Sequence, residues 1–186
     1  MRIISGELKG KSINFLKNLN TRPLKSNVRE SIFNVLRHSN AVKVKVENSN
    51  ILDLYSGIGS FGIECISRGA KKVTFIEKDN LAIGMLEKNL KKLSIINEAK
   101  IFNGEIEDIL AKNIKDKFQI FFFDPPFADK KFLNNIKLIK KNKMFKTNHI
   151  VVIHRERKTI DNIEDVLKIV VIKQYGRSKI IFATFK

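Results

Sequence analysis

The chain has 186 residues, enough for one domain with its own core, and 43 % of them are hydrophobic. No apolar run approaches the roughly 20 residues of a bilayer-spanning helix, Met1 to Gly6 carries no apolar export signal, and Cys65 has no second cysteine to pair with. Membrane and disulfide-framework classes are therefore excluded, and the cytoplasm is the expected location. Thirty-six Lys and Arg against 19 Asp and Glu leave a formal charge of +17, a field that concentrates polyanions and points to nucleic acid as partner.

Residues 1–39 read as a basic N-terminal extension, in which Arg2, Lys9, Lys11, Arg22 and Arg29 are candidate phosphate contacts. The alternative for each arginine is plain surface charge or a helix salt bridge. Two β-prone stretches, around Ile3 and over 13–16, flank Glu7-Leu8-Lys9-Gly10 and predict a hairpin. Asn27 with Glu30 three positions on predicts a capping box, and Val28, Ile32, Val35 and Leu36 predict an amphipathic helix behind it. From 50 to 186 strands and helices alternate, as in a parallel sheet covered on both faces, a Rossmann-like three-layer α/β/α fold. The expected strands are 51–55, 73–77, 100–103, 118–123 and 150–154, with helices behind Asp79 and over 106–112 and 132–141. The run over 118–123 is nearly all apolar, which suits a central strand. Residues 166–174 and 179–185, joined through Tyr175-Gly176-Arg177-Ser178, predict a closing antiparallel hairpin, and Arg177 at its turn joins the candidate RNA contacts. Neither an internal repeat nor a linker divides the chain, so residues 1–186 are expected to form a single domain.

The first chemical signal is Asp53-Leu54-Tyr55-Ser56-Gly57-Ile58-Gly59-Ser60-Phe61-Gly62, placed where a strand gives way to a helix. Glycines there let the backbone approach a ligand and take positive φ. Glu77 ends the next strand, where a carboxylate can accept both hydroxyls of a ribose. Gly57-x-Gly59-x-x-Gly62 with an acid 20 residues on also fits a dinucleotide fingerprint, so this motif alone does not select a cofactor. Asp53, ahead of the glycines, favours S-adenosylmethionine, because it offers a carboxylate to the cofactor's amino-acid end; pyrophosphate would need only the helix N-terminus. Tyr55, Ser56, Gly57, Gly59, Glu77 and Lys78 complete the expected cofactor contacts. Glu105 either meets the adenine amino group at the end of the third strand or serves as an N-terminal helix residue.

The second signal is Asp124-Pro125-Pro126-Phe127, directly after the apolar fourth strand. Two prolines cannot continue a ladder, so the chain leaves the sheet as a stiff, extended loop showing a carboxylate, free carbonyls and a ring. An exocyclic base amine is a poor nucleophile because its lone pair is delocalised into the ring. Acceptors at Asp124 and at the Pro125 carbonyl would orient it and draw it toward a pyramidal state, while Phe127 stacks on an extruded base. Asp124 also faces the cofactor corner. Cys65 reads as a core residue. His38, His149 and His154 show neither metal-ligand spacing nor partners, and no metal is expected.

With these residues in view, the sequence resembles the bacterial 16S rRNA guanine-N2 methyltransferases of the small ribosomal subunit, nearly end to end. The resemblance rests on Met1 to Gly6, Arg22-Pro23, Val28 to Asn34, Gly62 to Ala70 and the Tyr175-Gly176 corner, with departures at Leu24 and at Ser26-Asn27. It implies a class I methyltransferase fold with a seven-stranded sheet and S-adenosylmethionine as donor. It further implies one guanine of 16S rRNA as acceptor, in an assembled or assembling small subunit, with the catalytic role on Asp124, Pro125, Pro126 and Phe127. A monomer is expected. Two other readings stay open from sequence: an amino methyltransferase acting on adenine or cytosine of DNA or another RNA, and a catalytically silent RNA-binding assembly factor.

Overall fold

The computed structural model describes residues 1–15, 24–112 and 114–186. Arg22, with Pro23 and the end of the second β-prone stretch at Leu16, lies outside the described residues. In chain order the elements are α1 (Ser26–His38), β1 (Asn50–Leu54), α2 (Ser60–Ser67), β2 (Lys72–Glu77), α3 (Asn80–Lys92), β3 (Ala99–Asn103), α4 (Ile106–Ala111), β4 (Phe118–Phe123), α5 (Phe132–Lys141), β5 (Phe145–Glu156), β6 (Leu167–Tyr175) and β7 (Ser178–Phe185). A seven-stranded sheet runs β3-β2-β1-β4-β5-β7-β6. Neighbours from β3 to β5 pair in parallel, while β7 is antiparallel to both β5 and β6.

Alternation along the central strands divides the core in two. Ile51, Ile120 and Phe122 face α1, α2 and α3, whereas Leu52, Leu54, Phe121 and Phe123 face α4 and α5. On the first face Phe33, Phe61 and Phe122 stack at centroid distances of 5.2 and 4.0 Å, binding α1 to α2 and α2 to the sheet. Each such pair contributes about 0.5–1.5 kcal/mol beyond the area it buries. Apolar residues on both faces are what a parallel sheet requires of β4. Strand order reverses between β1 and β4, so the loops at their carboxyl ends part and leave a crevice.

Several local expectations shift by a short distance for identifiable reasons. α1 begins at Ser26, so Asn27 and Glu30 lie inside it and no capping box forms; Asn27 Oδ1 instead accepts from the Val28 N–H. β5 extends back to Phe145, further than 150–154, through a register shift opposite Phe118 and Ile120. The polar run Lys146-Thr147-Asn148 conceals that extension from a hydrophobicity reading. Among the described residues the N-terminal hairpin is a narrow ribbon with one isolated bridge, Arg2 to Ser12, in place of two paired strands.

That ribbon is bolted to the core. Ile3 and Ile13 are buried. Glu64 of α2, wholly buried, accepts the Ile4 and Ser5 N–H groups at 2.8 and 3.0 Å and the Arg68 Nε–H at 2.9 Å. Asn89 of α3 exchanges two bonds with the Asn14 backbone. Gly6 takes φ +86, and a Cβ there would stand 1.7 Å from the Ser67 carbonyl oxygen, so only glycine permits the approach. Arg29 is fully buried and donates to the Arg2 carbonyl at 2.6 Å, with its Nε 3.8 Å from Glu64. Burial lowers its guanidinium from the ordinary value, with Glu64 opposing the shift. This corrects the expectation that Arg29 grips phosphate: it fastens the ribbon from inside.

Candidate active site

At the crevice the loops after the four parallel strands β1 to β4, His154 of β5 and the β6–β7 turn surround a cleft of about 1080 Å³. Its wall also includes Leu24, Lys25, Asn27 and Val28 at the start of α1, so the basic N-terminal segment borders the site. The cleft is at the upper end of the range typical of small-molecule sites.

The glycine loop forms the floor. Tyr55 adopts φ +58 and Gly57 φ +54, turning the chain back under the cleft. Glu77, at the end of β2, accepts the Gly57 N–H through Oε2 at 2.7 Å and the Lys78 and Asp79 N–H groups through Oε1 at 2.8 and 3.0 Å. Its carboxylate is thereby fixed at the cleft wall. Ser56 Oγ, also on the wall, is buried with no hydrogen-bond partner among the described residues. An unsatisfied buried hydroxyl beside a cleft suits a polar ligand. Across the cleft Lys78 Nζ meets Glu105 Oε1 at 3.2 Å, and that bond and charge raise the ammonium's pKa. Glu105 occupies the N-cap of α4, without a side-chain cap bond, and it lines the cleft.

Two expected cofactor contacts lie beneath the wall. Asp53 is buried and not part of the lining; its Oδ2 accepts the Gly62 N–H at 3.0 Å, holding α2 against β1. Burial pushes its carboxyl pKa well up, the Gly62 bond opposing and the charges of Asp124 and Glu77 adding to it. Gly59 is equally withdrawn. It N-caps α2 at φ +80, and a Cβ there would stand 2.4 Å from Leu86 Cδ1. The structure therefore corrects direct cofactor contact at Asp53 and Gly59 to a supporting role.

Asp124, Pro125, Pro126 and Phe127 line the same cleft as Gly57 and Glu77. The loop is held by β5. Arg155, fully buried, donates to the Pro126 carbonyl at 3.1 Å and the Phe127 carbonyl at 3.0 Å. It is held in turn by Asp161 at 3.0 and 3.1 Å and lies 4.6 Å over the Phe132 ring. His154 sits beside it. Its Nδ1 is 2.8 Å from Asp124 Oδ1, its Nε2 2.9 Å from Ser178 Oγ, and its ring meets Phe127 edge-on at 6.0 Å. The expectation that His154 has no partner is thus corrected. Tyr55 Oη accepts from Asn135 Nδ2 at 3.1 Å, and burial raises the phenol pKa, with Asp129 adding to the shift.

His154, Arg155, Asn135 and Ser178 had no sequence motif to announce them. The one available signal was an arginine that directly follows the apolar run 150–153 and His154, where a charge carried into the sheet needs a partner. Arg2, Lys9 and Lys11 are exposed on the ribbon, and Arg177 is exposed on the cleft rim.

Sheet order, the antiparallel last pair and the placement of both loops define the class I methyltransferase fold. The same architecture recurs in yhhF from Escherichia coli, at 24 % identity and TM-score 0.85, with 100 % of this chain and 98 % of that one covered. HI0767 from Haemophilus influenzae matches at 27 % identity and TM-score 0.77 over the same shares. The chain belongs to the family described as conserved hypothetical protein 95, matched over residues 1–184, and shares its family with the proteins called ribosomal RNA small subunit methyltransferase D. The one from Buchnera aphidicola subsp. Baizongia pistaciae is 36 % identical over 156 residues, covering 84 % of this chain and 76 % of that protein. The one from Haemophilus influenzae is 33 % identical over 159 residues, covering 84 % and 79 %.

Proposed function

We propose that this chain transfers the methyl group of S-adenosylmethionine to the exocyclic N2 amine of a guanine in 16S rRNA of the small ribosomal subunit. The observation that carries this reading is the sharing of one cleft by Asp124 to Phe127 and the Gly57–Glu77 corner. S-adenosylmethionine supplies an electrophilic methyl on a positively charged sulfur. Glu77 suits its ribose, Ser56 and the Gly57 loop its polar tail, and the Lys78–Glu105 pair the edge of its base.

Asp124 and the Pro125 carbonyl accept the two amine hydrogens, so the nitrogen is oriented and its lone pair drawn out of the ring. These acceptors are already fixed, Asp124 by His154 and the loop by Arg155, so little reorganisation is left for the reaction itself. Phe127 offers its face to an extruded guanine. Arg2, Lys9 and Lys11 on the ribbon and Arg177 on the rim hold RNA phosphates. The substrate is RNA in an assembled or assembling subunit, met by a monomer of this chain.

The test is transfer of tritiated methyl from S-adenosylmethionine to small subunits purified from cells lacking this protein, with naked DNA in parallel. The expected result is label in the subunits and N2-methylguanine at one position by mass spectrometry. Label only in DNA would overturn the reading.

A further inference from the structure

Asp124 carries two carboxylate oxygens, and the structure treats them differently. Oδ1 is bonded to His154 Nδ1 at 2.8 Å, while Oδ2 has no hydrogen bond among the described residues. The Asp124 side chain is 22 % exposed at the cleft, and His154 behind it 11 %. His154 is carried by β5, next to the buried Arg155, so its ring is set from a strand, not from the loop it touches. Its far nitrogen, Nε2, is bonded to Ser178 Oγ at 2.9 Å, at the start of β7 and on the cleft wall.

An ionised carboxylate only accepts, so Nδ1 carries the imidazole hydrogen and Nε2 accepts from the Ser178 hydroxyl. The carboxylate thereby fixes the tautomer, and the Ser178 hydroxyl, donating to Nε2, holds the ring in line with the aspartate oxygen that it meets. A carboxylate without such a partner rotates and offers either oxygen to solvent. Held by one oxygen, it presents the other at a constant place.

We propose that His154 is a positioning residue for Asp124: it donates to Oδ1, holds the carboxylate rotamer and leaves Oδ2 as the acceptor that takes the target amine hydrogen, with Ser178 holding the imidazole in place through Nε2. This rests on the reading of Asp124 as the acceptor of an exocyclic amine. His154 borders the cleft as well, and its proposed action is through Asp124. Its contribution is to turnover and not to binding.

Two substitutions separate the donor from the bulk of the ring. Asparagine places an amide N–H close to where Nδ1–H stands, whereas leucine fills space and donates nothing. Transfer to small subunits is measured for wild type, His154→Asn and His154→Leu, alongside S-adenosylmethionine affinity by calorimetry and thermal unfolding. For His154→Leu kcat is expected to fall about ten- to a hundredfold, the scale on which loss of an orienting partner acts, with KM for both substrates unchanged. For His154→Asn kcat is expected to stay several-fold above the leucine variant. Ser178→Ala against Ser178→Thr repeats the comparison one bond further out, and decides the matter if His154→Leu does not fold: threonine keeps the hydroxyl and is expected to turn over faster. Equal kcat in both members of the pair used, or a loss confined to KM, would overturn the positioning role while leaving the methyl-transfer reading intact. A wild type that binds S-adenosylmethionine yet methylates no RNA would remove both.

Discussion

Replacing Arg155 with methionine separates what this side chain does for stability from what it does for the loop. Arg155 and Asp161 are 2 % and 4 % exposed, joined by two bonds, and the same guanidinium donates to the Pro126 and Phe127 carbonyls. Methionine keeps the apolar length that packs against Phe132 but strands the Asp161 charge in a buried place. Breaking a buried pair from one side costs about 3–5 kcal/mol. For a chain of this size that lowers Tm by roughly 6–20 °C. The two carbonyls add little, because Pro126 is exposed and water can replace the lost donor. The double variant Arg155→Met/Asp161→Asn removes both charges and is expected to recover part of the stability, since an amide without its partner costs less in a buried place than a carboxylate does. It does not restore the donors to the loop, so kcat is expected to remain low. Denaturant unfolding and single-turnover methyl transfer measure the two effects on the same samples. Recovery of turnover together with stability would refute the clamp, and an unchanged Tm in the single variant would refute the buried pair.

Asp124→Ala is expected to remove at least about 2 kcal/mol of transition-state stabilisation, seen as a drop of about thirtyfold or more in kcat/KM; near-normal turnover would defeat its assignment as acceptor. Gly6→Ala is expected to lift the N-terminal ribbon off α2, because the added methyl meets the Ser67 carbonyl oxygen and φ is +86; faster proteolysis within the first 15 residues and a lower Tm are the signs, and unchanged protection would refute the docking. Asp53→Asn keeps an oxygen for the Gly62 N–H and removes a carboxyl whose pKa burial raises in the folded state. A group raised on folding stabilises most below its unfolded value, about 4, and loses that contribution as pH climbs through the folded one. The asparagine variant should therefore gain stability relative to wild type between pH 4 and pH 7, and parallel melting curves across that range would contradict the sign.

Legibility of the site followed sequence distance. The glycine loop and Asp124 to Phe127 could be placed because each follows an apolar run with an abrupt change to glycine or proline, and Glu77 because a charged run, Glu77-Lys78-Asp79, ends the next apolar stretch. Arg29 misled for a physical reason. Ile32, Phe33 and Leu36 at helical spacing are apolar, and the Arg2 carbonyl, 27 residues away, with the buried charge of Glu64, 35 residues away, makes an arginine tolerable there. Asp53 was legible as an acid before glycines, yet its orientation toward Gly62 depends on how α2 seats on β1.

By itself the amino-acid order determined the alternation of strands and helices, the buried central strand, the closing hairpin and the two loops that carry chemistry. These follow from periodicity and from backbone restrictions at glycine and proline, which act over a few residues. Tertiary structure alone decided that β5 supplies His154 and Arg155 to the Asp124 loop, that Lys78 meets Glu105, and that the ribbon hangs from Glu64. Those contacts join residues 27 to 60 positions apart. Polar partners are chosen by which side chains the packed sheet brings within hydrogen-bond distance, and no local pattern encodes that choice.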